Sequence, residues 1–340
     1  MDFTAILKHW YSVKKRNLPW RLTKTPYLVW LSEIILQQTQ VNQGLPYYEK
    51  ISAKYPTVYD LANAKEQEVL KLWQGLGYYS RARNLHFTAI YIVENLKGEF
   101  PTSYQDLIKL KGIGDYTASA IASICNDEPC AVLDGNVFRV LSRYFGINTP
   151  INSSEGKKEF KILAQSLIPK SDIGDYNQAI MEFGAKQCKP KSPNCIVCPL
   201  NNSCKALQTK KVAYLPIKLK KLKVRVRYIN FLVFISNDKK TILEKREGKG
   251  IWQGLFQFPF LETKKSYKEK EISRLLEFNY KEFTLYNTKD IVHKLSHQHL
   301  HSKFWIIYVD DLDNKGIDFS EIRNYPVPIL ISNFIENFNF

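Results

Sequence analysis

The chain has 340 residues, 44% of them hydrophobic, which is enough for more than one packed core and too apolar for bulk disorder. Its formal charge of +16 points to a polyanionic partner, although excess lysine alone also fits a compositional habit. No apolar run of about eighteen residues suggests a membrane span. The stretch from Met1 to Trp20, broken by Asp2, Lys8, His9 and Lys14, offers no signal-peptide core, so a cytoplasmic protein is expected.

Up to about residue 210 the chain reads as helices joined by short loops. Apolar Tyr27, Trp30, Leu31, Ile34 and Ile35 recur at helical spacing between Thr25 and Gln40, with Thr25 placed to cap and Pro26 in the first turn. Similar patterns predict helices over Glu66–Leu72, Ala82–Leu96, Tyr116–Ile124, Val137–Tyr144 and Glu159–Leu167. Lys210, Lys211, Lys218, Lys220, Lys221 and Lys223, around Pro216, read as a basic linker running near phosphates. Beyond it Arg227–Ile235, Thr241–Lys245, Leu255–Phe260 and Lys303–Val309 read as strands, with a hairpin turn at Asn237-Asp238 and a helix from Glu269 to Phe278. The expected architecture is multidomain: an all-α domain over 1–210, a linker over 211–226 and a smaller α+β domain over 227–340.

Four features carry chemistry. Glu33 lies inside an apolar helix and, at helical spacing, shares a polar stripe with Gln37 and Gln40 beside the buried face. A desolvated glutamate there has a raised pKa and suits a general acid. Next, Lys111-Gly112-Ile113-Gly114 precedes an apolar helix, and such a Gly-x-Gly turn lets backbone amides approach a phosphate without reading bases. The same residues also fit an ordinary tight turn. Asp134 stands where an apolar run meets a new helix and reads first as its cap, with a second role open as a carboxylate facing a cationic transition state. One protonated and one ionised carboxylate are the pair that cleaves glycosidic bonds.

Cys188, Cys195, Cys198 and Cys204 are separated by six, two and five residues, a ligand set for a soft metal centre. Zinc would take four thiolates, commonly as two Cys-x2-Cys pairs. The single such pair here, with longer arms, suits a 4Fe–4S cluster better, and a disulfide framework is a distant third. Cys125 and Cys130 read as small buried hydrophobes.

Together these residues resemble the iron–sulfur branch of the helix-hairpin-helix DNA glycosylases. Within it, Leu18-Pro19-Trp20-Arg21, the run from Trp30 to Gln40 and the run from Gly75 to Asn84 resemble the MutY-type adenine DNA glycosylases, densely over 1–210 and more thinly beyond. The resemblance implies one 4Fe–4S cluster on the four cysteines, which would hold a basic loop with Lys186, Lys189, Lys191 and Lys205 against the DNA backbone. It also implies that Glu33 protonates adenine N7 and that Asp134 stabilises or traps the sugar cation, with Tyr116 and Asn136 in support. By the same resemblance Trp20, Arg21 and Glu182 line the adenine pocket, while Gln38 and Tyr78 fill the gap left in the base stack. The bifunctional relative, endonuclease III, carries a Schiff-base lysine where this chain has Tyr116, which implies hydrolysis that leaves an abasic site.

The second half resembles the MutT/Nudix-like recognition domain of these glycosylases. The stretch from Lys264 to Tyr280 has Glu269, Glu271 and Glu277 but lacks the hydrolase box, so no nucleotide hydrolysis is expected. Ser296 and His297 match the family's 8-oxoguanine-sensing loop, with Leu295 in place of its phenylalanine. His293, His299 and His301 read as solvated or structural. The implied partner is double-stranded DNA with A·8-oxoguanine or A·G mispairs, bound by a monomer without a membrane. The rival readings are a thymine mismatch glycosylase, a bifunctional glycosylase/lyase and a non-catalytic iron–sulfur DNA-binding protein.

Overall fold

The computed structural model describes residues 2–219, 224–276, 280–338 and 340. Lys220, Lys221 and Lys223 of the expected linker, and Glu277 and Phe278 of the expected helix, lie outside the described residues. Compactness separates two units: Met1–Asn63 with Asn84–Lys220, and Ala64–Arg83 with Lys221–Phe340.

The first unit is helical. The Pro26–Leu36 helix buries Trp30, Leu31, Ile34 and Ile35, the periodic residues of its sequence. Pro26 occupies its first turn, but Thr25 makes no side-chain cap, because its hydroxyl accepts from Thr23 instead. The helix also stops four residues short of Gln40. Gln37 is no longer helical and Gln38 turns the chain at φ 57°, so the polar stripe expected from Glu33 through Gln40 does not form. A new helix, Val41–Lys54, starts at once. Asp115–Asn126 and Gly135–Phe145 cover and extend the predicted segments, whereas Ser154–Ser166 begins earlier than the predicted Glu159–Leu167 and stops before its last residue.

Ile173–Lys186 is a helix that the periodicity does not announce. Its start is capped from a distance: Asp127 Oδ1 accepts from the Ile173 N–H at 2.6 Å and the Gly174 N–H at 3.2 Å. Gly174 then packs so closely that a Cβ there would lie 2.7 Å from the Ser123 carbonyl oxygen. Cys125 and Cys130 are half-buried rather than buried, and burial pushes their thiols up to about 12 and about 11.

The second unit is built on a mixed sheet. Its centre is a parallel pair, Arg225–Ser236 with Gln298–Val309, in register from Arg225↔Gln298 to Ser236↔Val309. Phe260–Thr263 covers the free side of the first strand; Glu282–Leu285 and Ile291–Lys294 pair with the second. Phe231, Val233, Phe304, Trp305 and Ile307 are fully buried, and Phe334 of the Ile329–Asn337 helix stacks on Phe304 at 4.1 Å.

The short strands differ from expectation. Asn237-Asp238 does form a tight turn, closed by the Lys239 N–H on the Ser236 carbonyl. No hairpin follows: Lys240–Thr241 pairs with Ile317–Asp318 instead. Glu244–Lys245 pairs with Phe256–Gln257, and Pro259 breaks the predicted Leu255–Phe260 strand before Phe260–Thr263. Of the expected helix after residue 269, Glu269–Ser273 is helical. Ala64–Arg83 joins this unit through Lys71 Nζ on the Tyr325 carbonyl, Gln74 Nε2 on Ser332 Oγ and Arg83 Nη1 on the Gln253 carbonyl. Among the described residues no helix is long and apolar enough to cross a membrane.

Candidate active site

A cavity of about 760 Å³ in the first unit is lined by Trp20, Glu33, Tyr116, Asp134, Asn136 and Glu182, among others. Glu33 comes from the Pro26–Leu36 helix, whose apolar residues carry it into the interior, where it is 8% exposed. Desolvation raises its pKa to about 7; a hydrogen bond from Tyr116 opposes this, the Asp134 charge adds to it and Arg21 opposes it. The Tyr116 phenol is itself held well above its ordinary value, first by burial and then by Glu33 and Asp134. Its hydroxyl also lies 3.2 Å from Met181 Sδ.

Asp134 is the N-cap of Gly135–Phe145 and lines the cavity as well, so both roles meet in one carboxyl. It accepts from the Asn136 and Val137 N–H groups, each at 2.8 Å, and from Asn136 Nδ2 at 2.7 Å. Burial leaves its pKa raised on balance, and these bonds and Arg139 offset only part of that rise. Both carboxyls are raised by burial, but they differ in what opposes it: Asp134 accepts three hydrogen bonds that favour its anion, whereas Glu33 has one from Tyr116 and the Arg21 charge.

Glu182, on Ile173–Lys186, is 1% exposed and bound by two arginines. Arg16 gives its backbone N–H at 3.1 Å, Nε at 2.7 Å and Nη2 at 2.6 Å; Arg21 gives Nη2 at 2.8 Å. Burial alone would raise the Glu182 pKa, but the arginine bonds outweigh it and hold the carboxyl at about 2. Its contribution to stability is thus present above its ordinary value of 4.5 and lost as pH falls toward 2. Glu182→Gln, isosteric but uncharged, should cost about 3–5 kcal/mol by leaving two cations short of a partner. Urea unfolding at neutral pH measures it, and a loss below ~1 kcal/mol would contradict the bonding described here. Trp20, beside Arg21, packs edge-on against Tyr48 at 5.1 Å.

The Gly-x-Gly turn is in place ahead of Asp115–Asn126. Gly112 has φ +81°, and a Cβ there would meet Asn84 Cβ at 2.8 Å, whereas a Cβ on Gly114 would meet nothing within 4 Å. Ile113 is buried beneath the turn, and Lys111 Nζ sits 4.0 Å from the Phe87 ring centroid. Gln38 lies in the first unit and Tyr78 in the second; both are exposed and held at positive φ, 57° and 46°. Non-glycine residues accept that conformation only where the surroundings impose it.

Cys188, Cys195, Cys198 and Cys204 line one cavity of about 30 Å³, and all are free thiols. Arg143 Nη1 donates to Cys188 Sγ at 3.4 Å and to the Lys189 carbonyl at 2.7 Å; Nη2 reaches the Pro190 carbonyl at 3.1 Å. Among the described residues no group of three or more His, Cys, Asp or Glu is arranged to hold a metal ion. Four thiols around one cavity, with a cation against one sulfur, nevertheless suit a thiolate-ligated metal centre. Of the basic residues expected around this loop, Lys186 donates to the Lys14 carbonyl, while Lys189 and Lys191 line the cavity shared with Glu33 and Asp134.

In the second unit, Tyr78, Arg227, Trp252, Ser296, His297 and Gln298 line a cavity of about 690 Å³. His293 packs against Trp252, with ring centroids 5.9 Å apart, and His301 Nδ1 lies 3.5 Å from Asp290.

Residues 31–169 match the model of the HhH-GPD superfamily of base excision DNA repair proteins, and residues 230–337 match the NUDIX domain. An adenine DNA glycosylase of Buchnera aphidicola subsp. Schizaphis graminum is 40% identical over 263 residues, covering 77% of this chain and 76% of that protein. The chain belongs to the adenine DNA glycosylase family. Another adenine DNA glycosylase, from Buchnera aphidicola subsp. Acyrthosiphon pisum, is 37% identical over 300 residues, 88% of this chain and 84% of its own. The structure of a thermostable thymine-DNA glycosylase, 28% identical, superposes with a TM-score of 0.57 over 61% of this chain and 95% of its own.

Two arginines of this adenine DNA glycosylase site escaped the sequence reading. Arg16 sits in the Lys14-Lys15-Arg16-Asn17 run, which reads as solvated charge. Arg139 joins Asn136 Oδ1 at 2.9 Å to the Gly184 and Cys188 carbonyls, each at 2.7 Å. A signal was present for the second: Arg139 and Arg143 lie four apart on a helix whose neighbouring Val140 and Leu141 are core residues.

Proposed function

We propose that this chain hydrolyses the N-glycosidic bond of adenine mispaired with 8-oxoguanine or guanine in double-stranded DNA, as a monomeric, monofunctional enzyme of cytoplasmic base excision repair. The observation that carries the reading is the pair of carboxyls lining one cavity, Glu33 buried with its pKa raised to about 7 and Asp134 accepting three hydrogen bonds that favour its anion. Adenine leaves poorly as an anion. Glu33 protonates N7 as the bond lengthens, so that a neutral base departs. The sugar is left cationic, and the Asp134 carboxylate stabilises that charge in a desolvated site, where electrostatics count most. Tyr116 orients the Glu33 carboxyl, and Asn136 orients Asp134.

Trp20, Arg21 and Glu182 form the wall for the extruded adenine, and Gln38 of the first unit is a side chain that enters the base stack, as is Tyr78 of the second. Lys111, Gly112, Ile113 and Gly114 receive a backbone phosphate, with the open space at Gly114 as the approach. One 4Fe–4S cluster on Cys188, Cys195, Cys198 and Cys204, when bound, supplies four thiolate bonds that brace the loop bearing Lys189 and Lys191. The second unit, through Ser296 and His297, reads the base opposite the adenine. A thymine-removing enzyme would gain nothing from Glu33, since thymine has no N7.

The test is a cleavage assay on duplexes carrying adenine opposite 8-oxoguanine, guanine, cytosine or thymine, with and without alkali. Strand breaks should appear only after alkali, fastest opposite 8-oxoguanine and next opposite guanine. Breakage without alkali, with a borohydride-trapped adduct, would instead make an amine such as Lys189 or Lys191 a lyase nucleophile. Release of thymine from T·G would overturn the substrate.

A further inference from the structure

Behind the exposed Ser296 and His297 runs a chain of polar groups whose direction is fixed at its inner end. Arg227 donates Nε to Glu262 Oε1 at 2.8 Å and Nη2 to Oε2 at 2.6 Å. Its Nη1 donates to Gln298 Oε1 at 3.3 Å. A guanidinium has donors and no acceptor, so the Gln298 amide must turn its oxygen toward Arg227. Gln298 is 6% exposed and has little freedom to turn over. Its NH2 group is thereby aimed at His297 Nε2, 3.2 Å away. An amide NH2 only donates, so His297 Nε2 accepts and the ring proton sits on Nδ1.

Nδ1 lies 3.3 Å from Ser296 Oγ. A donating Nδ1–H occupies one lone pair of that hydroxyl and leaves its proton free to point into the cavity. The other tautomer would do the opposite: a bare Nδ1 would draw the hydroxyl proton inward. The protein thus has two discrete ways to present Ser296, and the arginine end of the chain selects one.

We propose that Glu262, Arg227 and Gln298 are positioning residues that fix the His297 tautomer, so that Ser296 presents an outward O–H beside a free lone pair. That pattern complements a purine edge carrying an N–H next to a carbonyl oxygen. The proposal rests on the reading of Ser296 as the contact to 8-oxoguanine, whose N7–H and O8 are such a pair. Guanine presents a bare N7 and a C8–H there, and gains only one of the two bonds. Arg227 and Gln298 act through His297 and add to discrimination without touching the base.

Gln298→Glu tests this with little change of shape. A carboxylate still pairs with Arg227 but can only accept from His297, which moves the ring proton to Nε2 and turns the Ser296 hydroxyl inward. The preference for A·8-oxoguanine over A·G in single-turnover release should fall roughly tenfold, about the worth of one hydrogen bond. Nitrogen NMR of histidine-labelled full-length protein, with His297 assigned through His297→Gln, should report an Nδ1–H ring in the wild type and an Nε2–H ring in the variant. An Nε2–H ring in the wild type overturns the relay, and so does a Gln298→Glu protein with unchanged preference and tautomer. Ser296→Ala separates the two ideas. If it keeps the full preference, the recognition reading itself fails; if it loses the preference while Gln298→Glu does not, only the relay falls.

Discussion

Glu33→Gln should lower adenine release by a factor of about 10³, within the range of about 10² to 10⁴ for a general acid, while mismatched DNA still binds. The glutamine keeps the shape and a hydrogen-bonding partner for Tyr116 but has no proton to give. The size of the effect follows from placement. Glu33 is 8% exposed, and its pKa of about 7 keeps roughly half the enzyme protonated at neutral pH, where an ordinary carboxyl would be ionised almost completely. Single-turnover release and mobility-shift binding on one A·8-oxoguanine duplex separate chemistry from affinity. Equal loss of both would make Glu33 a binding residue instead.

Asp134→Asn should cost about 10² to 10³ in the same rate, the magnitude of one well-aimed electrostatic contact. Asparagine caps helices about as well as aspartate, so the Asn136 and Val137 N–H groups retain an acceptor and the capping itself should lose less than about 1 kcal/mol. Its amide does oppose the Asn136 Nδ2 donor, which loses its partner. A thermal melt alongside the kinetics distinguishes a lost charge from a lost helix start. The substitution has a second consequence. The Asp134 charge helps hold the proton on Glu33, so its removal should move the alkaline limb of the pH profile to lower pH.

Much of this site is legible because single residues break a local pattern. Glu33 interrupts an apolar helix, Asp134 stands at a helix start, and four cysteines crowd one loop. Each signal is confined to a few neighbouring positions. What stays hidden is long-range. Glu182 owes its environment to Arg16, 166 residues away, and no periodicity encodes that pairing. The Ile173–Lys186 helix is capped by Asp127, 46 residues before it. The same limit applies to the fold. The central strands are visible from their composition, but strand partners are long-range, and Lys240–Thr241 finds Ile317–Asp318 rather than its neighbour. The segment 64–83 shows nothing in its sequence of its place in the second unit.

The central claim is that a protonated Glu33 and an ionised Asp134 work together on adenine. The most direct measurement is the single-turnover rate of adenine release from an A·8-oxoguanine duplex, followed from about pH 5.5 to about pH 9 at constant ionic strength. Because Glu33 must carry its proton to act, the rate should fall as pH rises through about 7, approaching tenfold per unit beyond it, and that limb should vanish in the residual activity of Glu33→Gln. A wild-type rate that stays level or climbs across pH 7, or a limb that persists in Glu33→Gln, would contradict the account.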